Sequence, residues 1–136
     1  MRRDRVLTKN DRDRLRKVIE CRPARSPAEE QCVRVIREYV AKLKPVDSTK
    51  VRSDVVTMNS RVCLRNLGNG KKKIVSLVYP DDSVKSEDKL SILSPLGSRV
   101  LGCTIGNVVN GCPFDDDYYL IEKILYQPEA SGDFHL

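Results

Sequence analysis

The chain has 136 residues, 40% hydrophobic and 32% charged, which suits one ordinary domain plus a small appendage and excludes a disordered chain. No apolar run approaches the roughly 18 residues of a membrane span or the apolar middle of a secretion signal. The charged N-terminus carries Asp4, Asp11 and Asp13 and is unlike a transit peptide, so a soluble cytoplasmic protein is expected.

The net charge of +6 is unevenly placed: residues 1–44 hold 14 Lys/Arg against 7 Asp/Glu, leaving 11 against 12 for residues 45–136. The basicity therefore belongs to the first segment, which predicts two helices. Thr8 or Asn10 caps the first, early aspartates suit its positive end, and Leu15, Val18 and Ile19 are its apolar positions. "RPARSPAEE" interrupts the pattern. Ser26, Pro27 at the first helical position and Glu29 three residues on form a capping box. From there Cys32, Val33, Ile36, Tyr39, Val40 and Leu43 make one apolar stripe, and Pro45 ends the helix. Two such helices form a short antiparallel hairpin over 1–45, its longer arm roughly 25 Å.

The polar stretch 46–56 reads as a linker, and beyond it the apolar period shifts to that of strands. Val62 and Leu64 alternate with Arg61 and Arg65, "GNG" supplies a tight turn, and "KKKIVSLVYP" follows, so Ser60 to Tyr79 predicts a β-hairpin. "DDSVKSED" is a loop, "KLSIL" a short strand, "SPLGSRVLG" a turn or two of helix and "CTIGNVV" another strand. "NGCPFDDD" turns the chain into "YYLIEKILYQP", a strand rich in aromatic and branched residues. The expected class is α+β, with a largely antiparallel sheet of about five strands and one short helix after the third.

Chemical motifs are sparse. Gly97 to Thr104 matches G-x-x-x-x-G-K-[ST] except that Cys103 replaces the lysine, and Gly106 disfavours the long helix that a phosphate loop requires. Turns and close packing are the expected role of these glycines. His135 is the single histidine, so neither a zinc site nor a Ser-His-Asp or Cys-His arrangement can be assembled. Cys21, Cys32, Cys63, Cys103 and Cys112 show no regular framework; reduced thiols are expected, although Cys21 and Cys32 flank one turn and leave a redox bridge open. Asp81-Asp82, Asp115 to Asp117 and Lys71 to Lys73 fall in solvated turns. Aromatics are 5% and not interleaved with basic residues, against base stacking. The residues describe a binding module.

Four blocks in one order, "VVTMNSRVCLRNL", "LVYP", "LSILSPLGSRVLGCTIGNVV" and "YQPEASGDFHL", closely resemble the regulator of nucleoside diphosphate kinase (Rnk) family over residues 54–136. That family is related to the Gre transcript-cleavage factors, and the ending is like Rnk rather than Gre. The resemblance implies an N-terminal antiparallel coiled coil and, over 57–136, an FKBP-like domain. It also implies RNA polymerase as partner, held by the C-terminal domain at the mouth of the secondary channel, with no membrane and no sequence-specific DNA binding. By the same resemblance the loop entering the short helix docks on polymerase, which selects Ser94, Pro95, Leu96, Gly97 and Arg99. The hairpin tip, where Gre factors carry a metal-holding acidic pair, corresponds to Arg22, Arg25, Glu29 and Glu30.

The departures favour a regulator without catalytic, cofactor-binding or metal-binding residues. Helices of about 13 and 17 residues are too short to reach a buried centre, and the tip is mixed in charge. Leu93 stands where an acid would precede Ser-Pro, and Gly106-Asn107 replaces Gly-Asp. Two Phe and no Trp also argue against a prolyl-isomerase pocket. The alternative is a Gre-like cleavage factor using Glu29 and Glu30, and the family name implies a third possibility, direct or indirect control of nucleoside diphosphate kinase.

Overall fold

A computed structural model describes residues 5–21, 25–80, 88–110 and 117–133. Two helices, α1 (Lys9–Cys21) and α2 (Pro27–Lys42), precede a five-stranded sheet. Thr8 starts α1 by accepting the Asp11 N–H on its Oγ1 at 3.1 Å. Ser26 starts α2 in the same way, its Oγ accepting the Glu29 N–H at 3.1 Å, with Pro27 at the first helical position.

The strands are β1 (Arg61–Asn66), β2 (Lys72–Val78), β3 (Lys89–Ser91), β4 (Val108–Asn110) and β5 (Tyr118–Tyr126), in the order β3-β2-β1-β5-β4. A short helix α3 (Pro95–Val100) follows the third strand. All pairings are antiparallel except β2 with β3. The expected hairpin, strand order along the chain and helix are all present. The strand expected over 103–109 is shorter, because Asn107 Oδ1 accepts the Thr104 N–H at 2.8 Å and Gly106 takes φ +96, closing a turn before β4.

One apolar cluster runs through both parts. Leu15 and Ile19 of α1 and Cys32, Val33, Ile36 and Val40 of α2 share it with Val62, Leu64, Leu77 and Ile121 of the sheet. Ile19 and Val33 lie toward the turn between the helices, so the hairpin packs along the sheet domain rather than standing away from it. Residues 46–56 are stitched to both sides. Val46 exchanges backbone hydrogen bonds with the start of α1, donating to Leu7 O at 2.9 Å and accepting from Lys9 at 2.8 Å. Val55 and Val56 are buried, and Val56 N–H donates to Cys103 O at 2.8 Å.

A polar node joins helix to sheet domain inside this core. The Asp11 side chain is 1% exposed; its Oδ2 accepts the Met58 N–H at 3.0 Å and its Oδ1 accepts Arg14 Nη2 at 2.9 Å. The Arg14 guanidinium lies over the Tyr79 ring, 5.4 Å from its centre. From the opposite end of the chain Glu129 accepts the Thr57 hydroxyl at 2.7 Å, and Thr57 N–H donates to Ser60 Oγ at 3.0 Å. Two carboxylates thus hold the turn 57–60, whose Asn59 sits at φ 66. Beside it Gln127 Nε2 donates to Arg52 O at 2.8 Å and to Val55 O at 2.7 Å, clamping the preceding segment.

Burial pushes the Asp11 carboxyl up to about 6, against the opposing pull of the Met58 N–H and Arg14; Glu129 adds to the rise. A raised native pKa means that the folded protein holds this proton more tightly than the unfolded chain. The group's stabilisation is complete below about pH 4 and is lost as pH climbs through about 6. About 2–3 kcal/mol of stability is therefore expected to disappear between pH 4 and 7 through Asp11. In Asp11→Asn, which keeps an acceptor for Met58, urea unfolding across this range should show that part of the slope removed; an unchanged slope would contradict the assignment.

Candidate functional site

The short helix α3 is built by its own first residues. Ser94 Oγ accepts the Gly97 N–H at 3.1 Å and donates to Ser91 O at 2.5 Å, while Ser98 Oγ donates to Pro95 O at 3.1 Å. Pro95 supplies a helical φ at the first position, where no backbone donor is needed. Gly97 is required by space: a Cβ there would stand 2.0 Å from Ser91 O. Gly102, just beyond the helix, needs both φ +80 and the room, since a Cβ would meet Val6 O at 2.8 Å. The glycines of the near-phosphate-loop spacing are thus explained by the tight loop before α3 and by the N-terminal segment crossing behind it.

Arginines tie this helix to its surroundings. Arg99 Nη1 donates to Asn110 O at 2.6 Å, linking α3 to β4. Arg5 Nη1 donates to Arg99 O at 2.5 Å and Leu101 O at 2.8 Å, placing a cation on the carbonyl end of α3. The Arg5 guanidinium also lies 4.9 Å from the centre of the Tyr39 ring, so one side chain joins α3 to α2. Sequence reading did not find Arg5, because nothing in a basic N-terminus distinguishes the one arginine that turns inward.

The first half of α2 lies against α3. Ala28, Gln31 and Cys32 face Pro95, Ser98 and Arg99 across a small cleft of about 40 Å³. Cys32 is buried there and burial pushes its thiol up, with Ser98 and Arg99 acting in the opposite direction. The loop residues Ser94 to Arg99 and the start of α2 therefore form one surface, although they are more than 60 residues apart in sequence. Leu96 packs partly into the core and Gly97 is buried, so Pro95 and Arg99 are the members of this set that reach the cleft.

Of the tip residues, Arg22 lies outside the described residues. Glu29 Oε1 accepts the Arg25 N–H at 3.3 Å, one residue before the Ser26 cap that the expected capping box would use, and Glu30 pairs with Arg34 at 3.5 Å across an exposed turn of α2. Cys21 is an exposed free thiol and Cys32 a buried free thiol, so the bridge left open by their spacing is not formed. Among the described residues no three carboxylate, thiol or imidazole side chains gather as metal ligands would. No described helix is long and apolar enough to cross a membrane. Gly97→Ala is expected to destabilise the protein by about 1–3 kcal/mol or more, because the crowding atom is backbone and cannot swing aside; urea denaturation measures it.

A family model for "Transcription elongation factor, GreA/GreB, C-term" matches residues 51–112. The chain is 41% identical over 85 residues to the regulator of nucleoside diphosphate kinase of Escherichia coli (strain K12), covering 61% of this chain and 62% of that protein. It is 27% identical over 75 residues to transcription elongation factor GreA of Syntrophomonas wolfei, or 55% of this chain and 47% of that one. Its matched part thus spans less than two thirds of these relatives' length. Among solved structures, a prokaryotic transcription elongation factor GreA/GreB from Nitrosomonas europaea superposes with a TM-score of 0.73 at 28% identity, covering 92% of this chain and 100% of that one. Over part of its length the chain is thus similar to the regulator of nucleoside diphosphate kinase, and residues 51–112 match the C-terminal domain of GreA/GreB transcription elongation factors.

Proposed function

We propose that this protein is a non-enzymatic transcription regulator that binds RNA polymerase near its secondary channel. In this reading residues 57–136 hold the polymerase, residues 46–56 join the two parts, and the hairpin of residues 1–45 occupies the channel entrance in competition with longer coiled-coil factors. The observation that carries it is the composite surface of α2 and α3. The Ser94-Pro95 loop, the part of the domain that the family resemblance assigns to docking, is held by its own hydrogen bonds and stands beside the first half of α2. A factor of this shape would bring its hairpin to the polymerase together with its docking loop.

Chemistry at the tip is disfavoured by what its carboxylates already do. Glu29 completes the helix start and Glu30 is paired with Arg34, and each is accounted for without a metal ion. If the cleavage reading held instead, backtracked elongation complexes would trim their transcripts faster with the protein present, and Glu29→Ala/Glu30→Ala would abolish the effect. Equal trimming with and without the protein is the expected result.

Polymerase binding is tested by retention on immobilised core RNA polymerase at moderate salt. The intact protein should be retained, and Ser94→Ala/Pro95→Ala should lose about tenfold or more in affinity. Because removing the cap alone costs about 1 kcal/mol of local stability, Ser94→Thr with Pro95 intact, which keeps a hydroxyl to accept from Gly97 and donate to Ser91, serves as the cap-preserving comparison. No retention of the intact, folded protein would overturn the proposal.

A further inference from the structure

The solvent face of the sheet segregates charge. Cross-strand partners place side chains in rows on one face. Lys89, Ser76, Arg61 and Tyr126 form one row; Ile74, the buried Cys63 and Lys123 the next; Lys72, Arg65, Leu120 and Val108 a third. Among the described residues the face thus carries five cations. Among the described residues its acids are Glu122, which accepts Arg65 at 2.9 Å and lies 3.0 Å from Lys72 Nζ, and at the edge Asp133, which accepts the Tyr126 hydroxyl. Both neighbours hold the Glu122 carboxyl below its usual range, so it stays charged. Arg61, Lys89 and Lys123 make no ion pair among the described residues. Ile74, 43% exposed, sits in the middle row.

Residues 45–136 carry 11 basic and 12 acidic side chains, a net of 11 − 12 = −1, so an excess of cations on this face is an arrangement rather than a consequence of composition. We propose that the solvent face of the sheet is a second docking surface, one that takes an acidic protein segment with an apolar side chain among its carboxylates. Three cations that make no ion pair among the described residues, with Ile74 beside them, match such a segment in charge and in polarity. A nucleic-acid backbone matches less well: Glu122 presents a fixed negative charge within the face, and a run of phosphates offers nothing to cover Ile74. None of these residues lines the cleft between α2 and α3. If the segment belongs to RNA polymerase, which rests on the function proposed above, the two surfaces would grip it at separate points, the sheet face acting mainly on association rate and salt dependence.

The test uses the full chain and Arg61→Glu/Lys123→Glu, which alters two exposed side chains outside the core. Poly-L-glutamate and a short DNA duplex are titrated at several salt concentrations. The intact chain should bind poly-L-glutamate about tenfold or more tightly than the variant, with a steeper salt dependence, and more tightly than it binds the duplex. Equal binding by variant and intact chain, or a duplex preference that depends on the same two residues, overturns the proposal. On immobilised core polymerase the two ideas separate. A variant retained as well as the intact protein removes the sheet face from the polymerase contact, whereas failure of the intact protein removes the polymerase reading and leaves the poly-L-glutamate result to decide the surface.

Discussion

The architecture depends on one buried carboxylate. Asp11 lies in the first turn of α1, where an acid would ordinarily face water and favour the positive end of the helix dipole. Here it turns inward and accepts the Met58 N–H from the segment leading into β1. Removing a carboxylate from water is costly, and Arg14 offsets part of that cost by pairing with the same group while covering Tyr79. The contact is directional in a way that the surrounding apolar packing is not. Leu15, Ile19, Ile36 and Val40 would pack against the sheet domain in several neighbouring orientations, but a two-sided carboxylate fits only one. Glu129 fixes the same turn from the far end of the chain through Thr57. The beginning, middle and end of the sequence therefore meet at residues 57–60.

A second constraint follows from how the hairpin is laid down. With its apolar stripe committed to the common core, α2 has only one direction in which to run, and its first half passes across α3. Arg5 reinforces this by capping the carbonyl end of α3 and covering Tyr39 of α2. The loop before α3 and the start of α2 become one surface as a consequence of packing. Space is tight enough that Gly97 and Gly102 admit no side chain without displacing backbone atoms. The sequence "SPLGSRVLG", whose spacing resembles a phosphate loop, owes its glycines to crowding on two sides.

Much of the local structure is legible in the residues. The Ser26 cap, Pro27 and Pro45, the "GNG" turn, the exposed Arg61 beside buried Val62 and Leu64 in β1, and the aromatic and branched residues of β5 each act over a few residues, and each appears where those rules place it. Thr104 to Asn107 is the instructive exception: the apolar pattern there suits a strand, but Asn107 and Gly106 favour a turn, and the turn prevails because its hydrogen bonds are local. The candidate site was legible only in part. Ser94 and Pro95 are recognisable as a helix start and by resemblance, yet nothing near them in sequence indicates that Cys32 and Arg99 face each other. Asp11 and Arg5 are hidden for the same reason, since one inward aspartate among several, and one inward arginine among many, carry no sequence mark.

The sequence by itself determined most of the elements, their order, the two-part class and the likeness to the Gre-type domain, because those rest on short-range periodicity, capping, turn chemistry and matched blocks. Tertiary structure alone decided how the hairpin lies, that residues 46–56 are bound into the core, that Gln127 and Glu129 of the C-terminal turn clamp the segment before β1, and that the cations of β1, β2, β3 and β5 share one face. Each of these depends on residues far apart in the chain meeting under burial, where desolvation and directional hydrogen bonds select one arrangement from many that the local rules allow.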